Sequence, residues 1–157
     1  MSKNNLEVNR EQRTITMSRI FDAPREHIWK IVTDPDLVPL WWGPGNLTTT
    51  VDKMDFKVGG TWRYIQKDAN GVEFAFHGVY KEIDAPHRLI STSEFELMAG
   101  HISTETLTLD ELPDGKTKMT VRTSLDTLED LEGMIQSGME NGAVESWDRL
   151  EALLMKV

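Results

Sequence analysis

The sequence predicts an α+β fold: a curved antiparallel sheet of seven strands, two short helices between strands one and two, and a long C-terminal helix on one sheet face. Three observations predict it. Short segments with period-2 alternation recur across residues 48–126, divided by turn signals at near-regular intervals. Near the end of the chain, Ala143, Trp147, Leu150 and Leu154 step by 4, 3 and 4, the spacing of one helix face. Two helix-like stretches separate an opening strand from the strand series.

Residues 13–21, RTITMSRIF, alternate polar and apolar and read as the first strand. Asp22-Ala23-Pro24 stops it and starts a helix with Pro in its first turn, with Ile28, Ile31 and Val32 at helical spacing. Asp34-Pro35 ends that helix and opens a second through Leu37, Leu40 and Trp41. The chain then breaks at Gly43-Pro44-Gly45. Turn signals at Gly59-Gly60, Asp68-Ala69-Asn70-Gly71, Ala85-Pro86-His87, Met98-Ala99-Gly100 and Pro113-Asp114-Gly115 divide the next region into six strands. After Asp126 the pattern is helical, with Met139, Val144 and Leu153 flanking the C-terminal stripe and Gly138, Asn141 and Gly142 able to bend its start. There is no repeat, low-complexity tract or linker, so one domain over 1–157 is expected, with an ordered core over 13–155.

Composition narrows the function. The chain has 157 residues, enough for one domain with a real core, and its 39% hydrophobic and 27% charged content is ordinary for a soluble protein. No run approaches the ~18 apolar residues of a membrane span, and the polar N-terminus lacks a signal-peptide core. The absence of Cys fits a reducing cytoplasm. Net charge is −9, and residues 126–151 hold eight acids against one base, so nucleic acid is not expected as a partner.

Hairpin turns set register, and register sets facing. Centring each hairpin on its turn puts Phe56 opposite Trp62, Trp62 opposite Gly78, Tyr64 opposite Phe76, and Tyr80 opposite Thr92. It also puts Glu94 opposite both Gly78 and Glu105, Thr92 opposite Leu107, and Leu107 opposite Val121. One face thus gathers Phe56, Trp62, Tyr64, Phe76, Tyr80, Leu107 and Val121, while Arg63, His77, Lys118 and Arg122 share the other. Thr92, Glu94 and Glu105 also fall on the apolar face, where carboxylates must be paired, protonated or wet. A large curved face with a few polar groups implies a cavity.

The stretches DAPREHIWKIVTDPDLVPLWWGP, DFKVGGTWRY, FHGVYKEIDAPHRL and SGMENGAVESWDRLEALL, in that order, resemble a known family. They are similar to single-domain proteins related to the C-terminal domain of the heat-shock-protein ATPase activator. These belong to the START-like (SRPBCC), helix-grip superfamily that includes the birch-pollen allergen. The resemblance spans residues 13–154. It implies a sheet gripping the C-terminal helix, with a cavity between them for hydrophobic molecules. Trp41-Trp42-Gly43 match the family's tryptophan-glycine motif, Gly59-Gly60 and Gly78 its strand glycines, and Trp147 and Leu150 its covering helix face.

The expected function is non-catalytic binding or carriage of a small hydrophobic molecule. Trp42 would turn to the cavity mouth, the sheet aromatics would supply apolar contact, and Thr92, Glu94, Glu105, Tyr64 and Tyr80 would orient a polar group. Val144, Trp147 and Leu150 would close the site from the helix. Protection against stress or toxins by sequestration would use the same site. The resemblance also raises a chaperone as partner, with stimulation of a heat-shock ATPase. A third class is acid–base catalysis by a Glu94–Glu105 pair. No cofactor or metal is expected: the four His are scattered, there is no Cys or nucleophile elbow, and Gly59-Gly60 precedes no helix that could bind phosphate.

Overall fold

The structure is a computed structural model that describes residues 4–156. Residues 1–3 and 157, included in the expected domain, lie outside the described residues. Strand β1 (Asn4–Asn9) and β2 (Thr14–Phe21) precede helices α1 (Arg25–Val32) and α2 (Val38–Trp41). Strands β3 (Thr48–Met54), β4 (Thr61–Lys67), β5 (Glu73–Asp84) and β6 (Arg88–Phe95) follow, then a 3-10 turn (Glu96–Met98), β7 (Ile102–Glu111) and β8 (Thr117–Ser124). Helices α3 (Leu128–Gln136) and α4 (Met139–Leu154) close the chain. The eight strands form one antiparallel sheet in the order β1-β2-β8-β7-β6-β5-β4-β3. This is the expected α+β helix-grip fold, with one strand more. The extra strand is β1, before the expected start of the core. Only Leu6 and Val8 alternate in it, too short a pattern to read alone, yet they pair with Met17 and Ile15 and bury beside them.

The C-terminal region is two helices where one was expected. Thr127 caps α3, its hydroxyl accepting from the Asp130 amide at 3.0 Å, and Gly138 (φ 83°) turns the chain into α4. No helix among the described residues is long and apolar enough to cross a membrane.

The apolar residues of the inner sheet face form separate clusters. Trp147 and Leu150 of α4 are buried with Phe21, Ile28, Ile31, Leu109 and Met119. Val38, Trp62, Tyr64 and Tyr80 form a second cluster at the β4–β5 side. Ile15, Leu125 and Leu131 form a third.

Register agrees with expectation at two hairpins: Trp62 faces Gly78 and Tyr64 faces Phe76, and Leu107 faces Val121. Elsewhere it differs. Along β5–β6 a bulge at Lys81 brings Tyr80 opposite Ser91 and His77 opposite Glu94. Thr92 and Glu94 therefore lie on the outer face, which corrects their expected place in the cavity. Along β6–β7 the pairing is shifted by three residues, with Ser91 opposite Glu105 and Leu89 opposite Leu107. An odd shift flips facing, so this second departure returns Glu105 and Leu107 to the inner face. At β3–β4 Met54 pairs with Trp62, and Phe56 lies in the turn, still packed edge-on against Tyr80 at 5.0 Å.

Two local features accompany these departures. The bulge adds local twist to β5, a strand of 12 residues. The β6–β7 connection is held by Glu94, which accepts from the Gly100 amide at 2.8 Å. It is also held by Glu96, which accepts two bonds from Arg63 at 2.8 and 2.9 Å and lies 2.8 Å from His77 Nδ1.

Candidate functional site

The two central strands carry small side chains on their inner face. Ser91, Ser93 and Ser103 are neighbours there, with Ser103 Oγ donating to the Ser93 carbonyl at 3.3 Å. Small residues between apolar clusters leave a trough in the sheet. Its aromatic wall starts at Trp42, which meets Tyr64 edge-on at 5.0 Å and Phe76 at 5.4 Å. Trp62 lies 4.7 Å from Tyr64, and Phe76 stacks on Phe95 at 5.0 Å. Trp42, Phe76, Phe95, Ser91, Glu105, Leu107 and Val121 are only half-buried. Residues at the centre of a helix-covered sheet that stay half-buried border open space.

Local sequence places Trp42. Trp41 is buried with α1 and α4, and Trp42 leaves α2 in extended geometry (φ −71°, ψ 128°). Gly43 then takes φ 90°, and a Cβ there would fall 1.9 Å from Gln66 Nε2. The adjacent tryptophans point different ways because the helix ends between them.

Glu105 is the unusual group. It faces Ser91 on one side and Thr123 on the other. Among the described residues it has no hydrogen-bond or ion-pair partner, and burial pushes its carboxyl above the ordinary range. It retains some solvent contact, so the space beside it is not filled by protein. The Tyr80 hydroxyl is sealed from solvent without a well-formed hydrogen bond. Burial pushes Tyr80 up to about 12, with Tyr64 opposing the shift and Asp55 adding to it. Tyr64 is raised too, chiefly by burial, with further contributions from Tyr80 and Glu105. Glu105 and the Tyr80 hydroxyl thus lie on either side of Ser91 without a well-formed partner, while the Tyr64 hydroxyl points to Met54 Sδ at 3.9 Å.

The expected site residues now divide. Trp42, Phe56, Trp62, Tyr64, Phe76 and Tyr80 come together around one aromatic cluster. Leu107 and Val121 pack beside the α4 cluster that contains Trp147 and Leu150, while Val144 is half-buried on the same helix. Thr92 and Glu94 belong to the outer face: the Thr92 hydroxyl accepts from the Val79 amide at 2.9 Å, and Glu94 approaches His77 Nε2 at 3.3 Å. The Glu94–Glu105 pair needed for acid–base chemistry is not formed, since the sheet lies between them. Ser91, Ser93, Ser103 and Phe95 were missed. The run of small residues in STSEF signals Ser91 and Ser93, but only the bulged register turns them and Phe95 inward.

The outer face holds a depression of about 300 Å³ lined by Asp52, Thr61, Arg63, His77, Val79 and Glu96 among others. Its charged groups are engaged with each other. Arg63 and then His77 hold the Glu96 carboxyl down to about 2 through hydrogen bonds. No group of three or more potential metal ligands is assembled among the described residues.

Glu105 makes stability depend on pH with a definite sign. Its folded pKa lies above the unfolded value of ~4.3, so in the window between them the folded state holds the extra proton. Stability therefore falls as pH rises through that window. Glu105→Gln is expected to melt higher than the parent at pH 7, with the difference vanishing near pH 3. Parallel melting curves from pH 3 to 8 check this, and an equal offset at every pH would contradict it.

The comparisons with known proteins agree with this geometry. The family model described as activator of Hsp90 ATPase homolog 1-like protein matches residues 22–155. The chain belongs to this family. Among solved structures, a protein from Arthrobacter aurescens is 26% identical with a TM-score of 0.89, over 98% of this chain and 92% of that one. A Mycobacterium smegmatis protein is 27% identical with a TM-score of 0.86, over 96% and 95% of the respective chains. A Rhodobacter sphaeroides protein, 22% identical with a TM-score of 0.90 over 98% and 99%, shares the fold. No curated protein matches the sequence. Family members of this fold place a sheet against a C-terminal helix, the arrangement that frames the trough here.

Proposed function

We propose that this protein is a cytoplasmic, non-catalytic carrier that binds a small hydrophobic molecule in the trough between the sheet and the C-terminal helices. The observation that carries this reading is the serine-floored gap on the inner face. The sheet holds Ser91, Ser93 and Ser103 where a solid core would have large apolar residues, between clusters that are themselves well packed. Apolar walls with a few convergent polar groups are the usual make-up of small-molecule sites. Trp42, Trp62, Tyr64, Phe76 and Leu107 supply the apolar contact in this reading, with Glu105 and the Tyr80 hydroxyl as the polar end. Sequestration of a harmful compound would use the same contacts.

Native mass spectrometry of the freshly purified protein, with solvent extraction of whatever it releases, tests the reading. A defined adduct is expected. Ser91→Phe, which fills the floor of the trough, is expected to abolish the adduct while the variant stays folded by circular dichroism. An adduct that persists in Ser91→Phe would place the ligand elsewhere. The family description favours a second reading, stimulation of a heat-shock ATPase. Acceleration of that ATPase by the purified protein, unchanged by Ser91→Phe, would support it over carriage.

A further inference from the structure

The charge inside the trough narrows the ligand class, and this step rests on the carriage reading above. Glu105 faces the space next to Ser91, two strands from Tyr80. No described side chain supplies it with an ion pair. Among the described residues, Arg19 is the one basic side chain at an inner-face strand position. It is engaged elsewhere: its Nη2 lies 2.9 Å from Asp148 Oδ1 of α4, and its Nε donates to Asn4 Oδ1 at 2.6 Å. Lys118 and Arg122 of β8 pair with outer-face positions. The trough therefore contains an acid without its counter-ion.

The surrounding wall is suited to one. Aromatic faces attract cations through the ring quadrupole, most strongly where water is excluded. Tyr80 stands across Ser91 from Glu105 in the same cross-strand row, Tyr64 is close enough for Glu105 to influence it, and Trp42 and Phe76 line the trough further along the strands. A buried carboxylate without a partner is costly, and a ligand that supplies the missing charge removes that cost. An anionic ligand would add repulsion, and a neutral one would leave the acid uncompensated. The net charge of −9 also draws cations toward the molecule and repels anions.

We propose that the ligand is an organic cation, a hydrophobic body ending in an ammonium group, seated with its charge between Glu105 and Tyr80 and its body along the aromatic wall of Trp42, Tyr64 and Phe76. The exposed acids of α3 and α4 attract cations only at long range, and salt screens them. Glu105, largely withdrawn from solvent on the inner sheet face, is screened less. That difference separates a built site from a merely acidic surface.

The test uses three probes with one dodecyl chain: dodecyltrimethylammonium, dodecanol and dodecyl sulfate. Each is titrated below its aggregation threshold into the full chain in 0.5 M salt, where surface attraction is screened within about 4 Å, and followed by calorimetry. The ammonium is expected to bind at least about tenfold tighter than the alcohol, and the sulfate weakest. In Glu105→Gln, which removes a buried charge and is expected to fold, the ammonium preference should shrink to about twofold with alcohol binding little changed. An ammonium preference absent in the parent, or undiminished in Glu105→Gln, overturns the cation assignment. Alcohol binding without that preference leaves the carriage reading standing. Failure of all three probes removes both.

Discussion

Gly78→Ala is expected to destabilise the protein by about 3 kcal/mol, at the upper end of overpacking effects. A Cβ at Gly78 would lie 1.8 Å from the Thr92 carbonyl oxygen and 2.6 Å from Trp62 Nε1. The first of these is backbone and cannot rotate away, so strands β5 and β6 must separate beside the bulge. The second is an indole that donates to the same Thr92 oxygen at 3.2 Å, so the variant also displaces the side chain that covers the glycine. For a chain of this length each kcal/mol is about 2–4 °C in Tm, so a fall of roughly 6–12 °C is expected. Gly133→Ala is the control. It lies mid-helix in α3, exposed, with nothing within 4 Å of its Cβ, and should stabilise by about 0.5–1 kcal/mol. Thermal and urea melts of both decide it. Equal small effects would mean that β5 and β6 are not in close contact at Gly78.

The second large effect is at the junction of the sheet and α4. Arg19 is buried, with 1% of its side chain exposed, and its partners Asp148 and Glu151 are 55% and 32% exposed. The Asp148 contact is 2.9 Å but poorly directed as a hydrogen bond, so Arg19 is held there by charge more than by geometry. Its Cζ also lies 5.6 Å from the Phe21 ring centroid. Removing the acids by the double substitution Asp148→Ala and Glu151→Ala strands a buried cation and is expected to cost about 3 kcal/mol or more. Arg19→Met removes the charge together with its desolvation cost and returns the acids to water, so a loss nearer about 1 kcal/mol is expected. Urea unfolding of the three proteins tests the order. If Arg19→Met proves the more damaging, the ion pair itself stabilises the helix and the buried cation is not the controlling feature.

Much of the fold was legible in the sequence because its signals are local. Proline and glycine mark the turns, and alternation marks strands such as TWRYIQK, whose inner set of Trp62, Tyr64 and Gln66 is buried as a period of two requires. The stripe through Trp147 and Leu150 likewise identified the helix face that meets the sheet. The site was less legible. Trp62, Tyr64 and Phe76 fall on one inner wall because the β4–β5 turn is tight and regular. Thr92 and Glu94 were misplaced because nothing in KEID announces a bulge at Lys81. Glu105 reached the inner face only because two odd register departures cancelled.

By itself, the sequence determined the class, the order of all strands but the first, the turns, and which faces are greasy, since each follows from neighbours along the chain. The tertiary structure alone decided where the bulge lies, that Glu94 and Glu96 brace a turn on the outside, that Arg19 is claimed by α4, and that Glu105 stands without a counter-ion beside three serines. These depend on sheet twist and on groups far apart in sequence meeting, as Arg63 meets Glu96 and Arg19 meets Asp148. A period of two fixes alternation within a strand. Its phase against the next strand is set by long-range contacts, and a single inserted residue reverses it.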